Sequence, residues 1–166
     1  ELLDKKSGRM LILGSGFLSW VAYNAVKLLG YDFGITVVGN HNKHIWDNVL
    51  QKDYQGKFDV VIDLGSIDVV NQNIFNPNAL YYYAAQKEMA TDLRYLLWNA
   101  VTVICPSPRA ETFYTSMCLA ATWIENNQID VSMFWTKGYS INNYKQAFND
   151  AVERPNNYSR GYIIWD

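Results

Sequence analysis

The 166-residue sequence predicts a doubly wound α/β fold, in which a mostly parallel sheet of five to six strands lies between two layers of helices. Two observations support this three-layer α/β/α arrangement. Short apolar segments alternate with longer segments whose apolar residues recur at helical spacing, as in parallel sheets covered on both faces. A glycine-rich turn also joins the first apolar segment to the first helical one. The hydrophobic content of 49% is typical of a globular protein, and we expect one domain over residues 1–166.

The predicted strands are short apolar segments, most of them rich in β-branched or aromatic residues. They cover residues 10–14, 35–39, 58–65, 79–84, 101–105 and 162–165. Helical spacing predicts a first helix over residues 19–29, and residues 43–52 can form a short second helix. Too few residues separate the second strand from Phe58 for a full helix, a strand and another helix. We therefore expect a shortened segment after the second strand, with the usual outer strand of the sheet lost.

Two further helices are predicted in the C-terminal third. The first is long and amphipathic, with these apolar residues along one face: Phe113, Met117, Ala121 and Ile124. The second follows Ser140, a favourable N-cap residue, and ends before Pro155, which cannot continue a helix. Its apolar stripe is expected to face the core and consists of Tyr144, Phe148 and Val152.

The turn after the first strand reads Gly14-Ser15-Gly16-Phe17-Leu18-Ser19. Gly14 permits a sharp turn, and Gly16 has no side chain to keep the backbone away from a pyrophosphate. The N–H groups of Phe17 and Leu18 would then point at the anion from the positive end of the helix dipole. Ser19 replaces the third glycine of this motif and still allows close packing. The strand–turn–helix context predicts a Rossmann-type phosphate-binding turn, and a purely structural turn is the alternative.

The end of the second predicted strand bears on the choice of dinucleotide. A domain that prefers NAD usually has an acidic residue there, about 20 residues after the glycine turn, to bind the ribose 2′-hydroxyl. This sequence has Gly39, Asn40, His41 and Lys43 instead. Because the loop contains no carboxylate, it would not repel a 2′-phosphate, and its polar side chains could donate hydrogen bonds to that group. The loop favours NADP(H) over NAD(H), although a solvated loop without a ligand is the alternative.

The ordered set of segments resembles the cofactor-binding, C-terminal domain of the medium-chain dehydrogenase/reductase superfamily, which includes the zinc alcohol dehydrogenases. The similarity extends over nearly the whole chain, roughly residues 8–166. Its most specific part is the C-terminal portion, with an Ile129-Asp130 pair after one helix and an Ala147-Phe148 pair within the next. The segments that carry it are residues 11–18, 26–30, 58–65, 121–130 and 143–151.

The resemblance implies a nicotinamide-dinucleotide-binding domain that positions the cofactor for hydride transfer. It also implies that Leu64, Gly65 and Arg160 lie in the cofactor site, and that the edge strand Val101–Cys105 pairs with its copy in a homodimer. The N-terminal catalytic domain of that family has no counterpart here. Since the chain begins at Glu1 without a Met, we expect a part of a longer enzyme. We assign it no catalytic residue and expect it to be inactive alone.

Two alternatives remain open at this point. The shortened segment, Ser19 and the missing acidic residue also permit a degenerate Rossmann domain that serves only dimerisation or scaffolding. A methyltransferase that binds an adenosyl group would have a similar glycine turn, but the C-terminal segments resemble reductases instead. Fold class by itself does not decide between these functions.

Composition argues against several other classes. The net charge of −2 gives no reason to expect nucleic acid or an anionic membrane as a partner. No apolar run is long enough for a spanning helix. His41 and His44 are three residues apart without a cysteine at ligand spacing, so we expect no metal in this domain. Cys105 and Cys118 are expected to be reduced, buried thiols of a cytoplasmic protein.

Overall fold

The computed structural model describes residues 5–46, 49–65, 73–85 and 93–165. Strands and helices alternate along most of these residues, and two short 3₁₀ turns (Ser132–Phe134 and Ile141–Asn143) flank the seventh strand. In chain order the elements are β1 Ser7–Leu13, α1 Phe17–Leu28, β2 Asp32–Val38, α2 Lys43–Trp46, β3 Leu50–Gln51, β4 Phe58–Asp63, β5 Phe75–Tyr83, α3 Leu93–Trp98, β6 Thr102–Ile104, α4 Phe113–Glu125, β7 Trp135–Ser140, α5 Tyr144–Glu153 and β8 Arg160–Ile164.

The main sheet has six strands in the order β3-β2-β1-β4-β5-β6, and each neighbouring pair is parallel. β1 lies near the centre, paired along its whole length with β2 and over Met10–Leu13 with β4. The chain places β2 and β3 on one side of β1 and then β4, β5 and β6 on its other side. The strand order therefore reverses at β1, between β2 and β4. This is the predicted Rossmann-like, doubly wound α/β fold.

Side chains of β1 alternate between two apolar clusters, one on each face of the sheet. Leu11 and Leu13 pack into one cluster, while Met10 and Ile12 pack into the other, and all four are 0% exposed. Each such side chain contributes about 1.5–3 kcal/mol by leaving water. Burial on both faces explains why this strand is a continuous apolar run rather than an alternating one.

The segment after β2 corrects one prediction. A helix over residues 43–52 is wrong, since α2 ends at Trp46 and Leu50–Gln51 forms the outer strand β3. Leu50 and Gln51 pair with Val37 and Val38, so the edge of β2 gains backbone hydrogen-bond partners that a longer helix would not supply. The outer strand is therefore shortened to two residues and not lost.

The C-terminal strand also differs from the prediction. It spans Arg160–Ile164 and pairs in parallel with β7, which was not predicted, in a separate two-stranded sheet. The segment Trp135–Ser140 contains Lys137 and Gly138, and its residues are mostly exposed, so it lacks the apolar pattern of a core strand. The described residues include no helix with the length and apolar character that crossing a bilayer requires.

The apolar faces of the last two helices are exposed, against expectation. Tyr144, Phe148 and Val152 of α5 are 45%, 66% and 83% exposed, and on α4 Phe113 and Met117 are 43% and 49% exposed. The helical spacing was predicted, but no described element of the chain covers these faces. The two thiols are exposed as well, because Cys118 lies on α4 and Cys105 follows the edge strand β6.

A polar cluster holds α5 against β7. Lys137 Nζ donates to Asp150 Oδ2 at 2.6 Å, and Tyr139 Oη donates to the same oxygen. These hydrogen bonds, the one from Lys137 first, lower the pKa of the Asp150 carboxyl below its ordinary value. The ionised carboxylate therefore favours the docked arrangement of α5.

The lowered pKa of Asp150 predicts a pH-dependent stability of the C-terminal unit. Stability from this group is present above the unfolded carboxyl pKa of about 3.9 and is lost as pH falls through the lower folded pKa. Asp150→Asn should therefore increase amide hydrogen exchange in β7 and α5 at neutral pH, and the difference from the parent should vanish in strong acid. Glu153→Gln, a charge removal on the same helix, is the control. Equal exchange in the parent and Asp150→Asn at neutral pH would contradict this role.

Candidate functional site

Three loops meet at the carboxyl ends of β1, β2 and β4, where the strand order reverses. They contain residues 14–18, 39–43 and 64–65. Backbone hydrogen bonds join them: Gly14 N donates to Val38 O at 2.7 Å, and Leu64 N donates to Leu13 O at 2.9 Å. In open α/β sheets, this crevice at the switch point is where ligands bind.

The glycine turn is packed against the end of β4. Gly14 has φ +115°, and a Cβ atom there would lie 3.1 Å from Ser19 Oγ and 3.3 Å from the carbonyl carbon of Leu64. A Cβ atom on Gly65 would lie 3.2 Å from the backbone nitrogen of Gly14. Backbone therefore lies against backbone at this point, and a side chain on either glycine would force its neighbours to shift by a few tenths of an ångström.

Gly16 differs from these two glycines. Its φ of −88° and ψ of −171° are open to any residue, and it is the N-cap of α1. Apart from its two chain neighbours, no atom of the described part of the chain lies within 4 Å of a Cβ atom built on Gly16. The fold thus gives no steric reason for glycine here, and the space in front of the helix is open.

The first turn of α1 has the features of an anion site. The leading N–H groups of an α-helix have no partner within the helix, and the helix dipole makes this end positive. The first turn contains no acidic residue, so no side chain of the helix itself competes for these groups. Leu18 in this turn is 62% exposed, so this end of the helix is open to solvent.

Arg160 reaches this end of α1 from the distant end of the chain. Its guanidinium carbon lies 4.5 Å from the centroid of the Phe17 ring, and Phe17 also contacts the buried Phe134 edge to face at 5.5 Å. Trp20 Nε1 donates to the backbone oxygen of Asp130 at 2.7 Å and ties the same region to α1. A guanidinium at this place can bind phosphate oxygens bidentately.

The loop after β2 is held from beneath by Ser15. The Ser15 hydroxyl donates to His41 O at 2.6 Å and accepts from His41 N at 2.9 Å. The Ser15 backbone oxygen accepts hydrogen bonds from Asn42 Nδ2 at 3.2 Å and Trp46 Nε1 at 3.0 Å. Asn40, His41 and Lys43 remain exposed to solvent. The loop is thus tied down by its backbone while its polar side chains are free to meet a ligand.

A buried carboxylate supports the third loop. Asp63 is 0% exposed. Its Oδ2 atom accepts a hydrogen bond from Tyr81 Oη at 3.0 Å, and its Oδ1 atom accepts one from Gly65 N at 3.2 Å. These hydrogen bonds direct Gly65 toward Gly14. An acidic residue inside an apolar strand requires buried partners, and this pattern in the sequence indicates a structural role for Asp63.

The structure brings every predicted site residue to one edge of the sheet or beside it. The predicted residues are Gly14, Ser15, Gly16, Phe17, Leu18, Gly39, Asn40, His41, Lys43, Leu64, Gly65 and Arg160. Sequence reasoning missed the side chains that hold the loops, namely Asn42, Trp46, Asp63 and Tyr81. Among the described residues, no three His, Cys, Asp or Glu side chains come together as a metal site requires.

Comparison with known proteins identifies the fold. No family model and no curated protein matches the sequence. Among solved structures, Staphylococcus aureus TarJ in complex with NADPH is 14% identical, with a TM-score of 0.74, covering 98% of this chain and 56% of that one. The alcohol dehydrogenase rspB from Escherichia coli CFT073, in complex with NADH, is 10% identical, with a TM-score of 0.72, covering 97% and 52%.

A thermostable alcohol dehydrogenase from Pyrobaculum aerophilum is also similar, at 16% identity and a TM-score of 0.69, covering 96% of this chain and 50% of that one. The chain therefore spans about half the length of these structures. At such low identity the similarity shows a shared fold, that of alcohol dehydrogenase-like and related oxidoreductases.

The contrast between the glycines gives a stability prediction. Gly14→Ala and Gly65→Ala should each lower the free energy of unfolding by about 1–3 kcal/mol, because the new methyl group meets backbone atoms, with added strain at the positive φ of Gly14. Gly16→Ala should change it by less than about 1 kcal/mol, since its backbone is unstrained and its surroundings are open. Urea denaturation measures all three. A Gly16→Ala variant as unstable as Gly14→Ala would contradict the open space described here.

Proposed function

We propose that this chain is the nicotinamide-dinucleotide-binding domain of a medium-chain dehydrogenase/reductase-like oxidoreductase. It positions NADP(H) for hydride transfer to or from a substrate that a further domain holds. The observation that carries the proposal is Gly16, which leaves an open approach to the N-terminus of α1 that the fold does not otherwise need. The hydride chemistry belongs to the cofactor, and this chain supplies its binding and orientation.

The pyrophosphate would lie against the first turn of α1. The N–H groups of Phe17 and Leu18 are at the positive end of the helix dipole, where phosphate oxygens bind well. Arg160 stands beside Phe17 and would neutralise the second phosphate charge. A side chain at residue 16 would occupy the space that the phosphate oxygens need.

The adenosine ribose would face the loop after β2. Gly39 offers no carboxylate to a ribose 2′-hydroxyl, whereas Asn40, His41 and Lys43 are exposed and can donate to a 2′-phosphate. Structural neighbours include complexes with NADPH and a complex with NADH, so the fold itself permits either cofactor. The preference for NADP(H) rests on the chemistry of this loop.

The substrate-holding domain is a separate part of the proposal. The chain covers only about half of its structural neighbours, and it exposes apolar faces on α4, α5 and β8. Large apolar surface of this kind is typical of a face that another domain covers. We place the substrate pocket between that domain and the nicotinamide end of the crevice.

Cofactor titration of the parent chain and Gly16→Val tests the proposed site. The parent should bind NADPH more tightly than NADH. Gly16→Val should weaken the binding of both dinucleotides by at least about tenfold, because each lost charge-assisted hydrogen bond costs about 1.5–3 kcal/mol. Gly34→Val is a matched control, since its Cβ atom would lie 3.8 Å from the nearest atom, Gly8 O, on a strand outside the crevice.

The possible outcomes separate the alternatives. A folded Gly16→Val variant that binds as well as the parent would show that the turn has only a structural role. Tighter binding of NADH by the parent would reverse the cofactor preference. If the folded parent binds neither dinucleotide, the scaffold function is favoured over cofactor binding.

We also propose that β6 pairs with its copy in a homodimer. β6 is the edge strand of the main sheet, Val103 on it is 36% exposed, and Leu97 and Trp98 shortly before it are 78% and 86% exposed. An open apolar edge is an aggregation hazard that pairing removes. Sedimentation should show a dimer for the parent and a monomer for Val103→Pro, which breaks the edge. A monomeric parent would contradict the proposal.

A further inference from the structure

Ser15 is a buried residue whose hydroxyl and carbonyl oxygen both form hydrogen bonds within the protein. The residue is 3% exposed. Its hydroxyl donates a hydrogen bond to the backbone oxygen of His41 and accepts one from the backbone nitrogen of His41. Its backbone oxygen accepts from Asn42 and Trp46. Four hydrogen bonds from one residue of the glycine turn thus reach the neighbouring loop after β2.

Gly39 lies in close contact with this serine. A Cβ atom on Gly39 would lie 2.5 Å from Ser15 Oγ and 2.7 Å from Ser15 Cβ, distances that real Cβ atoms essentially never show. The Ser15 backbone nitrogen is almost as close, at 2.8 Å, so main-chain and side-chain atoms of residue 15 together occupy the space that a side chain at residue 39 would need. With the glycine turn packed here, the end of β2 has no room for the acidic residue that binds a ribose 2′-hydroxyl.

We propose that Ser15 is a positioning residue for selectivity toward a 2′-phosphate, an inference that rests on the proposed dinucleotide function. Its hydroxyl holds the His41 peptide, so the donors Asn40, His41 and Lys43 keep one orientation toward the ribose. The close approach of the Ser15 backbone nitrogen and Cβ atom to Gly39 also leaves no room for a carboxylate at residue 39. Ser15 and Gly39 together make the pyrophosphate turn and the ribose loop a single unit.

The selectivity of this unit can be measured with two small probes that differ at the ribose. AMP carries only the 5′-phosphate, whereas 2′,5′-ADP carries the same 5′-phosphate and a 2′-phosphate. The parent chain should bind 2′,5′-ADP more tightly than AMP. Ser15→Ala should weaken the binding of 2′,5′-ADP by about tenfold, as expected when donors to a charged group lose their orientation, and the binding of AMP by less than about twofold.

Two further variants separate positioning from general damage to the fold. Ser19→Ala removes another buried hydroxyl of the same turn, one that faces Gly14, and should keep the parent ratio of the two affinities. Asn42→Gly removes one of the hydrogen bonds to the Ser15 carbonyl and suits the positive φ of 51° at this position. It should shift the ratio in the same direction as Ser15→Ala, and thermal denaturation checks that each variant is folded.

The results distinguish this inference from the function on which it rests. A tenfold loss confined to 2′,5′-ADP in Ser15→Ala, repeated in part by Asn42→Gly, supports the positioning role. An equal loss for both probes overturns it and leaves Ser15 a structural residue within an intact dinucleotide site. If the folded parent binds neither AMP nor 2′,5′-ADP, the proposed function fails and this inference fails with it.

Discussion

The contact between Gly14 and Gly65 is the constraint on which the rest of the site depends. A Cβ atom on Gly65 would lie 3.2 Å from the nitrogen of Gly14, so side chains at these positions would push apart the turn from β1 into α1 and the loop that leaves β4. The buried Asp63 holds the loop after β4 in this position by accepting a hydrogen bond from the N–H of Gly65. The contact between Gly14 and Gly65 fixes the point at which α1 begins. It therefore also fixes the direction in which the open N-terminus of this helix faces.

A second close approach, between Ser15 and Gly39, adds the loop after β2 to the same unit. The two contacts explain why glycines cluster at the carboxyl ends of three strands, and they leave Gly16 as the glycine of this cluster that packing does not require. A residue that the fold does not need and that faces an open helix end is evidence about a ligand. Geometry thus distinguishes structural from functional glycines within one motif.

The sequence predicted the fold class well because β1 and β4 are buried on both faces and read as continuous apolar runs. It failed where tertiary context decided: β3 depends on pairing with Val37 and Val38, and β7 has almost no apolar pattern of its own. The glycine turn and Arg160 were predicted by motif and resemblance. The hydrogen bonds from Ser15 to His41 were not, since a side-chain bond across 26 residues leaves no periodic signal.

The position of Arg160 joins the cofactor site to the exposed C-terminal surface. Arg160 is the first residue of β8, and Tyr162 and Ile164 of the same strand are each 47% exposed. β7 and α5 hold β8 within the chain, and its exposed residues leave a face on which a further contact would fix the strand more firmly. A domain that covers this face would hold the guanidinium beside Phe17 and reduce the entropy lost when the pyrophosphate binds. In the proposed enzyme, docking of the substrate domain and binding of the dinucleotide therefore favour each other through one strand.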